Sequence, residues 1–270
     1  MSEYVGGKLL IIGGAEDQEG ECRILQRFVD EAGGGEARIV VLTVAAEEPE
    51  VVGKRYEALF FRLGVQDVQV INITDRAAAE RVEWCERMET SSGVFFTGGD
   101  QLRITGRMGG TLLGKGLHAL YDKGVVIAGT SAGASAMSDT MIVGGSAGSP
   151  KKDRLTMAPG LSLLRSVVID QHFAQRGRIG RLLEAVAQNP YVLGVGIDED
   201  TAVLVGTQGV FQVCGSQTVS VVDASSSVIT NVSESTAGDP LALTPITLHI
   251  LPEGYGFDLQ RRQAIPPGAR

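Results

Sequence analysis

The chain has 270 residues, 43% of them hydrophobic, and a formal net charge of −8. That size and composition describe a soluble globular protein with a sizeable core. The acidic balance and the lack of a Lys/Arg block exclude a nucleic-acid surface, and no apolar run approaches the ~20 residues of a membrane span. Cys22, Cys85 and Cys214 are odd in number, far apart and without metal-ligand spacing. They read as reduced structural thiols of a cytoplasmic protein, and the N-terminus enters a strand with no signal-peptide pattern.

Residues 8–14 form an apolar run that predicts a buried strand closing in Gly13-Gly14, with a helix over 19–32. Gly13-Gly14-Ala15-Glu16 lacks the spacing of a dinucleotide loop, so it reads as a tight turn at the sheet edge. Strands follow over 38–45, 68–73 and 93–96. Helices lie between them, one with core positions Tyr56 and Phe60 and one over 76–88. Helical segments then lead to Tyr121 and into an apolar strand that ends before Ser131. Strands that are apolar throughout and alternate with helices indicate a parallel sheet covered on both faces, with its ligand edge at the strand ends. Residues 139–160, rich in Gly and Ser and carrying Lys151-Lys152-Asp153-Arg154, predict a long surface loop of the kind used as a lid or binding loop. A strand over 164–169 leads into Asp170-Gln171-His172-Phe173, followed by a helix carrying Arg176, Arg178 and Arg181 to about residue 188. Beyond Tyr191, short strands without helices suggest antiparallel pairs that extend the sheet or pack beside it, and 225–240 reads as a polar loop. No repeat or linker divides residues 1–270, so one domain is expected.

Gly129-Thr130-Ser131-Ala132-Gly133 has the form of a nucleophile elbow, a serine on a sharp turn between strand and helix. Gly129 and Gly133 would avoid a clash where the turn closes, and the N–H of Ala132 would face an oxyanion. A second N–H is expected from Gly98 or Gly99, in the glycine turn after the 93–96 strand. A serine nucleophile needs a base and a group to orient that base. His118 lies in a predicted helix upstream of the elbow and His249 inside an apolar strand, where each suits a structural role. His172 follows a buried strand and is the candidate base. For the acid, Asp198, Glu199 and Asp200 all end another apolar strand, and spacing does not choose among them. The order Ser…His…acid disfavours the α/β-hydrolase family. Arg176, Arg178 and Arg181 could grip substrate carboxylates bidentately.

Phe96-Thr97-Gly98-Gly99-Asp100-Gln101, the Ser131 elbow, Asp170-Gln171-His172-Phe173 with its three arginines, and Gly196-Ile197-Asp198-Glu199 together resemble the cyanophycinase and dipeptidase E family of serine exopeptidases. The likeness runs from residue 8 to about 223. It implies an α/β flavodoxin-like fold, similar to class I glutamine amidotransferases, with a mainly parallel sheet flanked by helices and extra antiparallel strands towards the C-terminus. It implies a homodimer, a triad of Ser131, His172 and Glu199, and pocket residues Gln101, Asp170, Gln171, Arg176, Arg178 and Arg181. The dipeptidase branch typically uses Asp as the acid, so Glu199 favours the cyanophycinase side. The implied substrate is cyanophycin, a polyaspartate with arginine on each β-carboxylate, whose guanidinium Asp170 could receive; it is cleaved to β-Asp-Arg dipeptides with no metal or organic cofactor. An aspartyl or isoaspartyl dipeptidase is the alternative, and a catalytically dead scaffold a more distant one. A glutamine amidotransferase would need cysteine in place of Ser131.

Overall fold

The computed structural model describes residues 6–145 and 147–269. The strands are β1 Leu9–Ile12, β2 Arg38–Leu42, β3 Asp67–Ile71, β4 Gly93–Phe96, β5 Val126–Thr130, β6 Thr140–Gly144, β7 Thr156–Pro159, β8 Val167–Gln171 and β9 Leu193–Ile197. They continue as β10 Thr201–Val205, β11 Val210–Gly215, β12 Thr218–Asp223, β13 Ile229–Thr230, β14 Leu243–Thr244, β15 Thr247–Pro252, β16 Gly256–Asp258 and β17 Gln263–Ile265. The helices are α1 Arg23–Glu31, α2 Pro49–Arg62, α3 Val82–Glu89, α4 Gln101–Met108, α5 Leu112–Asp122, α6 Ala132–Ser135 and α7 Ile179–Gln188.

The main sheet runs β17-β16-β11-β10-β1-β5-β4-β2-β3, and its β1-β5-β4-β2-β3 half is parallel. Helices cover both faces of this half, which is why β1 and β4 are apolar at every buried position rather than alternating, as is β5 up to Thr130. On one face, α1 and α2 supply Phe28, Tyr56 and Phe60, which close around Phe95 of β4 with ring centroids 4.8–5.6 Å apart. On the other, Met88, Ile104, Met108, Leu113 and Leu117 from α3, α4 and α5 meet Leu9, Ile11, Phe96 and Ile127. The expected flavodoxin-like α/β core with added antiparallel strands is therefore present.

A second sheet, β15-β12-β9-β8, packs one face into the same core and the other against Leu182, Ala185 and Val186 of α7. β8 and β9 are parallel neighbours with Gln171 opposite Ile197. The chain crosses between the sheets at residues 198–200, leaving β9 of the second and entering β10 of the first. Three backbone bonds stitch the junction: His172 N–H to Gly13 O at 2.8 Å, Asp200 N–H to Gly14 O at 2.9 Å, and Gly13 N–H to Thr201 O at 2.9 Å.

Several elements differ from expectation, among them a strand at Val167–Gln171 rather than 164–169 and a short strand, β13, within the expected 225–240 loop; four differences have identifiable reasons. α1 begins at Arg23 rather than 19 because the Asp17 carboxylate takes the N–H groups of Glu19, Gly20 and Cys22 and holds them in a turn. The stretch 76–88 splits into a short 3-10 turn over Ala78–Glu80 and then α3. Within the expected 139–160 loop, Thr140–Gly144 (β6) and Thr156–Pro159 (β7) pair as a β-hairpin, and Gly148 between them packs on α7, where a Cβ on Gly180 would lie 1.5 Å from Gly148 O. α7 begins at Ile179, so Arg176 and Arg178 lie in the preceding turn. Gly177 there has φ +58°, and Arg178 N–H bonds back to Phe173 O.

Candidate active site

Ser131 follows β5 directly, with φ +52° and ψ −108°, a strained setting for a residue with a side chain. Its N–H bonds to Ile12 O at 3.0 Å, which pins the turn to β1. A Cβ on Gly129 would lie 2.6 Å from the Gly133 carbonyl carbon, so Gly129 is required where the turn closes. Gly133 is required for a different contact: its added Cβ would lie 2.7 Å from Phe96 of β4. Ala132 opens α6, with its N–H at the helix start. Gly98 stands beside the elbow, an added Cβ lying 3.6 Å from Ser131 Cβ. Gly99 (φ +141°) instead packs on the segment that follows β2, where a Cβ would meet Ala45 O at 2.1 Å.

Ser131 Oγ lies 3.0 Å from His172 Nε2, and His172 Nδ1 lies 2.6 Å from Glu199 Oε1. The carboxylate can only accept, so Nδ1 carries the proton and Nε2 offers its lone pair to the serine hydroxyl. β8 and β9 set this pair: past their parallel ends, His172, one residue beyond β8, and Glu199, two residues beyond β9, face each other. Burial, assisted by the nearby Arg176 and Arg178 cations, lowers the His172 pKa from its ordinary value of 6.5 against the opposing pull of Glu199. The imidazole is thus neutral at neutral pH.

The three adjacent carboxylates divide their work. Asp198 is buried and accepts from Ala174 N–H (2.9 Å) and Thr218 Oγ1 (2.8 Å), bracing the turn after His172. Asp200 accepts from Asp17 N–H at 3.0 Å. Only Glu199 reaches the imidazole.

The six expected pocket residues separate by exposure. Asp170 is fully buried and grips Arg181 through both oxygens, Nε to Oδ2 at 2.6 Å and Nη2 to Oδ1, with Arg178 Nη1 3.4 Å from Oδ1. Asp170 thus holds this chain's own guanidinium groups rather than standing open to one from a substrate, and Arg181 is occupied in return. Arg178 also donates to Gln171 Oε1 at 2.7 Å and to the Gln171 carbonyl. Burial lowers its pKa to about 10, which leaves it charged at neutral pH. Gln101 donates to Ile142 O at 2.7 Å, tying α4 to the hairpin. Arg176 is exposed and makes no ion pair among the described residues.

Two residues beside His172 were not anticipated. Gly14 (φ +99°) backs the imidazole so closely that a Cβ would lie 2.4 Å from His172 Cε1. The glycine pair closing the first strand was the visible signal, but only the sheet-to-sheet junction shows what it faces. Gln175 accepts the Glu199 N–H at 3.0 Å, and nothing in the local pattern distinguishes it.

Sequence comparison gives the class first. The pattern of peptidase family S51 matches residues 9–213, and the chain belongs to this family of serine-type peptidases. More particularly, the cyanophycinase of Geminocystis herdmanii is 40% identical over 267 residues, spanning 98% of each chain. That of Trichormus variabilis is 40% identical over 260 residues, covering 96% of this chain and 87% of its own. The crystal structure of a peptidase from an acI-B1 actinobacterium superposes with a TM-score of 0.71 at 19% identity, covering 94% of this chain and 98% of its own, a likeness of fold. Among the described residues no helix is long and apolar enough to cross a membrane.

Proposed function

We propose that this chain is a serine exopeptidase that hydrolyses cyanophycin to β-Asp-Arg dipeptides, with Ser131 as nucleophile. The observation that carries the reading is the continuous line Ser131–His172–Glu199, bonded at 3.0 and 2.6 Å, in a chain so similar to cyanophycinases along its length. His172 removes the Ser131 proton as Oγ attacks the carbonyl between two aspartyl units. Glu199 orients the imidazole and stabilises its cation. The N–H groups of Ala132 and of Gly98 or Gly99 hold the oxyanion. Gly98 is the better placed of the two, since it adjoins Ser131 while Gly99 packs on Ala45, beyond β2. His172 then protonates the leaving amine, and water hydrolyses the acyl-enzyme.

Arg176, exposed at the mouth of the site, is the side chain best able to meet a substrate carboxylate. Arg178, Gln171, Arg181 and Asp170 form the buried wall that shapes the pocket, and Gln101 fixes its hairpin side. Digesting insoluble cyanophycin and, separately, Asp-Leu, with products identified by mass spectrometry, tests the reading. Release of β-Asp-Arg from the polymer is expected. Cleavage of Asp-Leu with an untouched polymer would instead make the chain a dipeptidase.

The lowered His172 pKa gives a pH prediction. A depressed pKa keeps the imidazole in its basic form as the medium becomes acidic, so kcat/KM should fall only below the ordinary imidazole value of 6.5. Arg176→Gln removes one cation that disfavours imidazolium, so the acid limb should move to higher pH whatever happens to its amplitude. A pH profile with an unmoved limb would show that Arg176 does not act on His172.

The reading includes a cytoplasmic location, in keeping with three free thiols. It also includes a homodimer, for which exposed Leu248 and Ile250 on edge strand β15 offer an apolar surface. Light scattering should then give twice the 28.4 kDa chain mass; a monomer at micromolar concentration would remove the dimer.

A further inference from the structure

Behind the elbow lies a polar cluster that the proposed mechanism does not use. The Glu16 side chain is buried, and among the described residues it makes no ion pair. Three donors converge on its two oxygens. Thr130 Oγ1 reaches Oε2 at 2.5 Å, while Tyr56 Oη and Gln18 Nε2 reach Oε1 at 2.6 and 3.1 Å. Burial and the Glu16 carboxylate together push the Tyr56 hydroxyl pKa well above its usual value, in keeping with a phenol that stays a donor. A buried carboxylate without a cation is costly unless such donors compensate it, so a core position is an unfavourable place for glutamate by default.

The location supplies a reason. Thr130 immediately precedes Ser131. Its side chain leaves β5 on the face of Val126 and Ala128, towards Tyr56 and the aromatic cluster. Glu16 ends the segment 12–16, and that segment touches Ser131, His172 and the residue that follows Glu199. Ile12 O accepts from Ser131 N–H, Gly13 O accepts from His172 N–H, Gly14 O accepts from Asp200 N–H, and Gly14 itself backs the imidazole. Left-handed conformations at Gly14 and Ala15 (φ +99° and +47°) turn the chain back so that the Glu16 side chain reaches Thr130. The segment is therefore the strap between the sheet that carries Ser131 and the sheet that carries His172 and Glu199, and the Glu16–Thr130 bond is its side-chain anchor on the nucleophile side.

We propose that Glu16 is a positioning residue: by holding Thr130 and bracing on Tyr56, it fixes the strained elbow against the Gly13-Gly14 turn and so sets the Ser131–His172 distance. This rests on Ser131 being the nucleophile. Small displacements of a reacting pair cost large factors in rate without weakening substrate binding.

The test compares Thr130→Val, which keeps the shape and deletes the donor, with Thr130→Ser, which keeps the donor, on cyanophycin, with circular dichroism as the folding check. Thr130→Val should lower kcat by about 30-fold or more with KM within about twofold of the parent, and Thr130→Ser should stay within about threefold in kcat. Glu16→Gln should reproduce the kcat loss while remaining folded, because its amide group must face one of two hydroxyl donors. It also carries the comparison should Thr130→Val fail to fold. The proposal is overturned if folded Thr130→Val or Glu16→Gln keeps kcat within about twofold of the parent, if the loss lies in KM, or if Thr130→Ser is as impaired as Thr130→Val. Ser131→Ala run alongside separates the two ideas. An inactive Ser131→Ala beside a fully active Thr130→Val retires the strap and keeps the nucleophile, whereas an active Ser131→Ala retires both.

Discussion

Ser131→Ala should reduce kcat on cyanophycin by about 10⁴-fold or more while leaving the thermal midpoint at or above that of the parent. The hydroxyl is bonded to His172 Nε2, and the backbone that holds the turn uses the residue-131 N–H on Ile12 O, which alanine retains. Alanine keeps the same Cβ, so the strain at φ +52° neither grows nor vanishes. What disappears is the nucleophile alone. The oxyanion donors and the binding surfaces stay, so a small residual rate and a KM close to the parent's are expected. Steady-state kinetics on purified, folded protein check this, and turnover within about tenfold of the parent would contradict it.

The second large effect is on stability. Arg181→Ala should destabilise the protein by about 3–5 kcal/mol, because it strips the main partner from a fully buried carboxylate. Arg178, 3.4 Å from the same Asp170 oxygen, is too distant and too committed to Gln171 to replace a bidentate grip. Arg181→Lys should lose much of the same stability, since one ammonium cannot offer two parallel donors. Activity should fall as well, because Gln171 and Asp170 immediately precede His172 on β8. Urea unfolding reads the effect. If Arg181→Ala unfolds within about 1 kcal/mol of the parent and only KM rises, Arg181 is a substrate ligand and the buried-pair account is wrong.

These two residues also mark how much the sequence discloses. The elbow was legible because its requirements are local: an apolar strand, a serine, and small residues on either side. The parallel core was legible for a similar reason, since strands buried on both faces read as unbroken apolar runs. Glu199 was not legible from spacing. Asp198, Glu199 and Asp200 are adjacent and chemically alike, and they differ only in where a turn between two sheets aims them. The Arg181–Asp170 pair was not legible for the same kind of reason. Three arginines near a candidate histidine suggest anion binding, yet burial of Asp170 turns one of them into an internal counter-ion. Gly14 and Gln175 act on residues of other strands, so their significance exists only once β1, β8 and β9 are brought to one junction. The 139–160 hairpin was hidden by its Gly- and Ser-rich composition, which favours loops locally and was overridden by pairing of β6 with β7 and packing on α7.

Covalent labelling with a serine-directed phosphonate, followed by peptide mass spectrometry, tests the central claim most directly. A single adduct per chain, on Ser131, is expected, with loss of cyanophycin hydrolysis in proportion to labelling. Labelling should slow below the pH range in which His172 is neutral. An adduct on a different serine, or full labelling of Ser131 with polymer hydrolysis intact, would contradict the account.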